Sequence, residues 1–152
     1  MSTEWSIEAG ARVVAVESGV RGPLLPVLHA LQEEFGYVDP EAIPLVAKAL
    51  NLSRADVHGV VTFYPGFRTA PPGVRRVAVC RGEACQSVGG RELEAHAQAR
   101  FGISFGETAP DGSVTLDQVF CLGLCAVSPA VVVDGAVHGR VDAARFDEVV
   151  GS

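Results

Sequence analysis

Long apolar runs are missing from this chain. No stretch of its 152 residues approaches the roughly 18 consecutive apolar positions that a membrane-crossing helix needs. The N-terminal Met1-Ser2-Thr3-Glu4-Trp5 lacks the basic start and apolar core of a secretory signal. Positive charge is also scarce. Twelve Lys and Arg stand against eighteen Asp and Glu, for a net charge of −6. The densest basic group, Arg75-Arg76, opens an expected strand, so nothing would neutralise a row of phosphates and nucleic acid is excluded as a partner. Gly89-Gly90 is followed neither by a P-loop lysine nor by Rossmann glycine spacing. No motif places a nucleophile beside a base, so no catalytic residues are expected. By elimination the expected compartment is the cytosol, with no direct membrane insertion. In that reducing environment paired cysteines favour a metal centre over disulfides.

What the chain does have is four cysteines in two tight pairs, with none left over. Cys80 and Cys85 form a C-x4-C. Cys121 and Cys125 form a C-x3-C, after an interval of about 35 residues. Four soft thiolates drawn from two loops can hold one [2Fe–2S] cluster, each pair on one iron. With four thiolates such a site carries a charge of about −2 when oxidised and −3 when reduced, which is tolerable only where donors point at the sulfurs. Small residues let backbone N–H groups turn inward. Gly82 and Ala84 supply them in one loop, Gly123 and Ala126 in the other. Gln86 and Ser87 are expected to add side-chain donors, and Arg81 to offset charge or meet a partner. No histidine lies in either loop, which excludes a Rieske centre. The plant-type ferredoxin spacing and a C-x-x-C redox pair are both absent. Zinc stays open, since structural zinc sites use pairs spaced by two to four residues. Disulfides and free thiols also stay open on spacing alone.

The rest of the chain reads as two blocks. In the first, Leu24, Leu25, Leu28, Leu31 and Phe35 recur at helical spacing, with Pro23 early and Gly36 as the stop. Asp39-Pro40-Glu41 reads as a cap, a first-turn proline and an acidic start for a helix through Ile43, Leu45, Val46, Ala49 and Leu50. Ser53-Arg54-Ala55-Asp56 caps another, through Val57, Val60 and Val61. Residues 5–18 are expected to form one more. The breaker-rich segment 65–73 then marks a boundary. In the second block a strand over 74–79 delivers Cys80, a helix spans 90–101, and a strand over 114–120 delivers Cys121. Residues 130–133 and 136–141 flank Asp134-Gly135 as a hairpin. Asp142 caps a last helix carrying Phe146, Val149 and Val150. His29, His58, His96 and His138 are scattered and read as packing or surface residues. Phe63, Tyr64 and Phe67 suit either core or a partner surface, and Glu33-Glu34 a solvated face.

Three segments together resemble a known family: His58-Gly59-Val60-Val61-Thr62-Phe63-Tyr64, Cys80-Arg81-Gly82-Glu83-Ala84-Cys85-Gln86-Ser87, and Cys121-Leu122-Gly123-Leu124-Cys125-Ala126-Val127-Ser128-Pro129-Ala130. The chain looks like the thioredoxin-like [2Fe–2S] subunit that accompanies the NADH-binding flavoprotein of respiratory complex I. The module also occurs in NAD-reducing hydrogenases and NAD-dependent formate dehydrogenases. The resemblance runs from about residue 22 to the end. Glu83-Ala84-Cys85-Gln86-Ser87 and the short C-terminus resemble most the gamma subunit of soluble molybdenum-containing formate dehydrogenase.

The resemblance implies an α+β fold. A small helical docking bundle with its Pro/Gly linker (residues 1–72) would precede a thioredoxin-like ferredoxin domain (73–152). It carries over Cys80, Cys85, Cys121 and Cys125 as ligands of one [2Fe–2S] cluster. It also implies two partners: a flavoprotein with FMN, a [4Fe–4S] cluster and the NAD site, and a larger molybdenum- and iron–sulfur-containing catalytic subunit. The expected role is electron transfer in an NAD-linked oxidoreductase, with no catalysis by this chain alone. The equivalent subunit of complex I or of an NAD-reducing hydrogenase, a zinc-stabilised interaction module and a free-standing ferredoxin are the alternatives.

Overall fold

A computed structural model describes residues 4–151. Met1, Ser2 and Thr3, part of the stretch read above for a leader, lie outside the described residues. The chain divides into two compact units, Met1–Pro71 and Pro72–Ser152.

The described residues of the first unit form four helices: α1 (Ile7–Glu17), α2 (Leu24–Phe35), α3 (Ala42–Leu50) and α4 (Arg54–Phe63). Each has a local cause. The Ser6 hydroxyl accepts from Ala9 N–H to start α1, and Gly36, at φ 84°, ends α2 in the left-handed region that glycine enters freely. Ser53 and Asp56 form a reciprocal capping box at the head of α4. Those two hydrogen bonds from Ser53 pull the Asp56 carboxyl below its usual range. The start of α3 differs from the sequence reading. Asp39 accepts from Glu41 N–H across a turn and Pro40 lies in that turn, so the helix begins only at Ala42. Of the stripes read from sequence, Leu28, Leu31, Phe35, Val46, Val57 and Val61 are buried together and are joined by Val27, whereas Leu25 and Ala49 are exposed. Full burial of each such side chain contributes about 1.5–3 kcal/mol. Phe67 packs on this core beside His29, whereas Phe63 is 76% exposed. His58 is exposed, and its carbonyl accepts from the Thr62 hydroxyl.

The second unit is a five-stranded mixed sheet with helices. Its elements are β1 (Arg75–Cys80), α5 (Glu83–Ser87), α6 (Gly90–Phe101), β2 (Glu107–Thr108), β3 (Val114–Val119), a 3-10 turn (Cys125–Val127), β4 (Val131–Val133), β5 (Ala136–His138) and α7 (Ala143–Gly151). The strand order is β2-β3-β1-β4-β5, with β1 and β3 parallel and the other neighbours antiparallel. Val77 stands between Leu116 and Val133 in register. The strand period of two turns Val77 and Val79 onto a core with Leu93 and Ala97 of α6 and Phe146 and Val150 of α7. Arg76, on the alternate side, stays exposed.

Two boundaries are shorter than the sequence reading. β3 stops at Val119, leaving Phe120 67% exposed in the cysteine loop. β5 stops at His138, because Gly139 and Arg140 turn to meet the 3-10 segment, where Arg140 N–H donates to Val127 O at 2.6 Å. The expected cap of the last helix is present, with Asp142 accepting from Arg145 N–H at 2.9 Å. Among the described residues no helix is long and apolar enough to cross a membrane.

Candidate metal centre

Cys80 is the last residue of the central strand β1, held on both sides by sheet neighbours. Its N–H donates to Ala130 O at 3.0 Å. The chain then turns at Gly82 into α5, and this short helix presents Cys85 back toward Cys80. Both side chains are 3% exposed and pack with Ala130. Cys121 and Cys125 lie in the loop after the parallel neighbour strand β3. Both are exposed, with their sulfurs 3.8 Å apart. A parallel β1–β3 pair brings the C-terminal ends of the two strands to the same edge, so the two cysteine loops meet.

All four thiols line one cavity of about 350 Å³, together with Gly82, Glu83, Ala84, Phe120, Leu122, Leu124 and Ala130. Among the described residues no three His, Cys, Asp or Glu side chains converge on a single-ion position. The thiols stand instead as two pairs around a common space. The electrostatics show the same closeness. Burial first, then the hydrogen bond with Cys80, pushes the Cys85 thiol up, and the charge of Cys125 adds to it. The hydrogen bond with Cys121, and then its charge, pushes the Cys125 thiol up, with a smaller contribution from Cys80. Each pair therefore feels the other. Four thiols in two pairs around a space of this size suit a cationic cluster that binds thiolate.

Backbone donors already point at sulfur. Gly123, at φ 75°, turns its N–H onto Cys121 Sγ at 3.3 Å. The Ala130 N–H bonds the Cys85 sulfur and opposes the upward pull of burial there. The side-chain donors expected from sequence go elsewhere. Gln86 Nε2 donates to Glu94 Oε1, and the Ser87 hydroxyl donates to Ala84 O at 2.8 Å. Arg81 turns onto Glu94, Gln118 and the Phe105 ring. Coiling residues 83–87 into α5 carries the Gln86 amide to Glu94 of α6 and turns the Ser87 hydroxyl onto the α5 backbone.

Two glycines that sequence reasoning did not tie to the site hold these loops in place. At Gly90 a Cβ would stand 2.5 Å from Cys85 O, so α6 can start against the back of α5 only without a side chain. At Gly139 a Cβ would stand 2.7 Å from Val127 Cγ2, beside the turn that carries Cys125. The signal for Gly90 was visible in Gly89-Gly90 but reads equally as a plain helix entry. Gly90→Ala is expected to displace α5 and speed iron loss to a chelator by about tenfold, as for changes to the residues supporting metal ligands. Stopped-flow bleaching with and without the substitution measures it. An unchanged rate would show that α5 moves freely.

Paired thiols around one cavity, at the C-terminal edge of a mixed sheet backed by helices, define a ferredoxin-like metal protein built on a thioredoxin-like frame. The chain belongs to the thioredoxin-like [2Fe–2S] ferredoxin family, whose profile matches residues 11–152. Its cofactor is therefore a [2Fe–2S] cluster. It is similar to an NADH-quinone oxidoreductase subunit of Rhizobium meliloti (strain 1021), at 36% identity over 87% of this chain and 79% of the relative. It is also similar to the NADP-reducing hydrogenase subunit HndA of Solidesulfovibrio fructosivorans, at 36% identity over 85% of this chain and 75% of the relative. Among solved structures, an air-oxidised NAD⁺-reducing [NiFe]-hydrogenase matches 84% of the chain, with a TM-score of 0.69 and 26% identity. The match spans only 22% of that hydrogenase chain.

Proposed function

We propose that this chain is the electron-transfer [2Fe–2S] subunit of an NAD-linked oxidoreductase complex, with Cys80, Cys85, Cys121 and Cys125 as the four ligands. Cys80 and Cys85 take one iron, and Cys121 and Cys125 the other. The observation that carries this reading is the single cavity lined by all four thiols in two pairs. Bound there, a [2Fe–2S] cluster takes up and gives back one electron.

The protein's own residues do the rest. The buried Cys80–Cys85 pair anchors the inner side. The exposed Cys121–Cys125 pair forms the side a redox partner can approach. Gly123 and Ala130 N–H groups stabilise negative charge on the sulfurs. Leu122, Leu124 and Phe120 line the cavity with apolar surface and limit water around it.

The partners in this reading are a flavoprotein carrying FMN, a [4Fe–4S] cluster and the NAD site, and a larger molybdenum- and iron–sulfur-containing subunit. The setting is the cytoplasm and the complex a soluble NAD-dependent formate dehydrogenase. The Glu83-Ala84-Cys85-Gln86-Ser87 loop supports that branch, while the relatives named above are quinone oxidoreductase and hydrogenase subunits. The first unit serves as the docking part. In its favour are the exposed Phe63 and Tyr64 and an apolar groove of about 460 Å³ lined by residues such as Leu25, Leu52 and Val60.

Anaerobic purification of the tagged chain from its native host tests the assignment. The flavoprotein and a molybdenum subunit are expected to co-purify, and hydrogenase or quinone-reductase subunits in their place would overturn the formate branch. The isolated chain is expected to turn over neither formate nor NADH. Turnover of either by protein free of flavin and molybdenum would contradict a purely electron-carrying role.

A further inference from the structure

Behind the inner cysteine pair lies a polar group that the ligand assignment does not use. Glu94 sits on α6, one turn beyond the close approach at Gly90, and is only 9% exposed. A buried carboxylate is costly unless charged or hydrogen-bonding partners reach it. Two do, and both come from the cysteine loop. Arg81 Nε lies 3.1 Å from Glu94 Oε1 as an ion pair, and Gln86 Nε2 donates to the same oxygen. Arg81 immediately follows Cys80, and Gln86 immediately follows Cys85. One carboxylate therefore ties down the next residue after each member of the pair. The guanidinium is fixed further by Gln118 Oε1 of β3 at 2.5 Å and by the Phe105 ring, 5.5 Å from centroid to Cζ.

We propose that Glu94 is a positioning residue for the cluster, holding Cys80 and Cys85 at ligand spacing through Arg81 and Gln86 and fixing the Arg81 charge behind them. The inference rests on the ligand assignment above. Two consequences are separable. As a tether, Glu94 slows loss of the cluster. As one half of a charge pair, it offsets Arg81, so removing either charge alone changes the cost of adding an electron nearby, with opposite sign.

The full-length protein carrying its cluster is the sample. Glu94→Ala is expected to lose iron to a chelator about 10- to 100-fold faster than the parent, the range for residues that support metal ligands. Glu94→Gln keeps the shape and the polar contact with Gln86 but not the charge. It is expected to retain iron within about threefold of the parent and to have a raised midpoint potential. Arg81→Gln is expected to have a lowered potential, and the double substitution to return toward the parent value. EPR-monitored redox titration reads these shifts, which a merely structural role would not split by sign.

Glu94→Ala retaining iron at the parent rate would overturn the tether. Potentials unmoved, or moved the same way in both glutamine variants, would overturn the charge pair. If Glu94→Ala does not fold, the two glutamine variants still decide the proposal by the sign of their shifts. A failure of the ligand assignment looks different: Cys85→Ser would keep its cluster. A failure of the present inference leaves Cys85→Ser empty and Glu94→Ala loaded.

Discussion

Cys85→Ser is expected to abolish stable cluster binding while leaving both units folded. The thiol is 3% exposed, and burial together with Cys80 already resists its ionisation. A serine hydroxyl there is far harder to deprotonate and is a poorer ligand for iron than thiolate. Outer residues of metal sites already cost about 10- to 100-fold in affinity when changed, so loss of a buried ligand is expected to cost at least that. The fold should survive for two reasons. Cys85 packs in a small satellite cluster with Cys80 and Ala130, whereas the sheet core is built from Val77, Val79, Leu116, Phe146 and their neighbours. The helices of the first unit have a core of their own. The visible absorbance and the reduced EPR signal should vanish, with far-UV circular dichroism unchanged. A stable, fully loaded Cys85→Ser protein would remove Cys85 from the ligand set. Cys121→Ala tests the outer pair in the same way.

Residues 74–152 expressed alone are expected to keep the reduced-cluster EPR signal but lose most of their affinity for the flavoprotein. The second unit holds all four cysteines, the complete sheet and its own buried core. The first unit supplies none of the thiols, and its helices of 9 to 12 residues are too short to persist without packing. They bury one stripe among themselves and leave Leu25, Leu52, Phe63 and Tyr64 exposed. Apolar and aromatic side chains of this kind are what a binding surface needs at its centre. An electron-transfer centre also needs a fixed position beside its donor, which a broad docking surface supplies better than a cysteine loop does. A pull-down comparing whole and truncated chains with the flavoprotein measures the difference. Equal binding by the truncated domain would show that the helices serve another purpose.

The parts legible in sequence are those written as periodicity or as local chemistry. The stripe from Leu24 to Phe35, the Ser53–Asp56 box, the strand that delivers Cys80 and the Asp134-Gly135 turn each carry their cause within a few residues. The cysteine pairs were legible for the same reason, as spacing. What was not legible depends on tertiary contact. The helix α5 spans five residues inside a cysteine loop, too short for any period to register, and it turns Gln86 onto Glu94 and away from the sulfurs. The strand β2 has two exposed residues and exists only because β3 is beside it. Gly90 and Gly139 matter because another segment approaches them. Glu94 reads as one more charged residue of an amphipathic helix until both cysteine neighbours are seen to converge on it.

The most direct measurement of the central claim is iron and acid-labile sulfide in anaerobically isolated full-length protein. A [2Fe–2S] cluster held by Cys80, Cys85, Cys121 and Cys125 predicts about two of each per chain, with an EPR signal that appears only on reduction. Stoichiometric zinc without sulfide would contradict it.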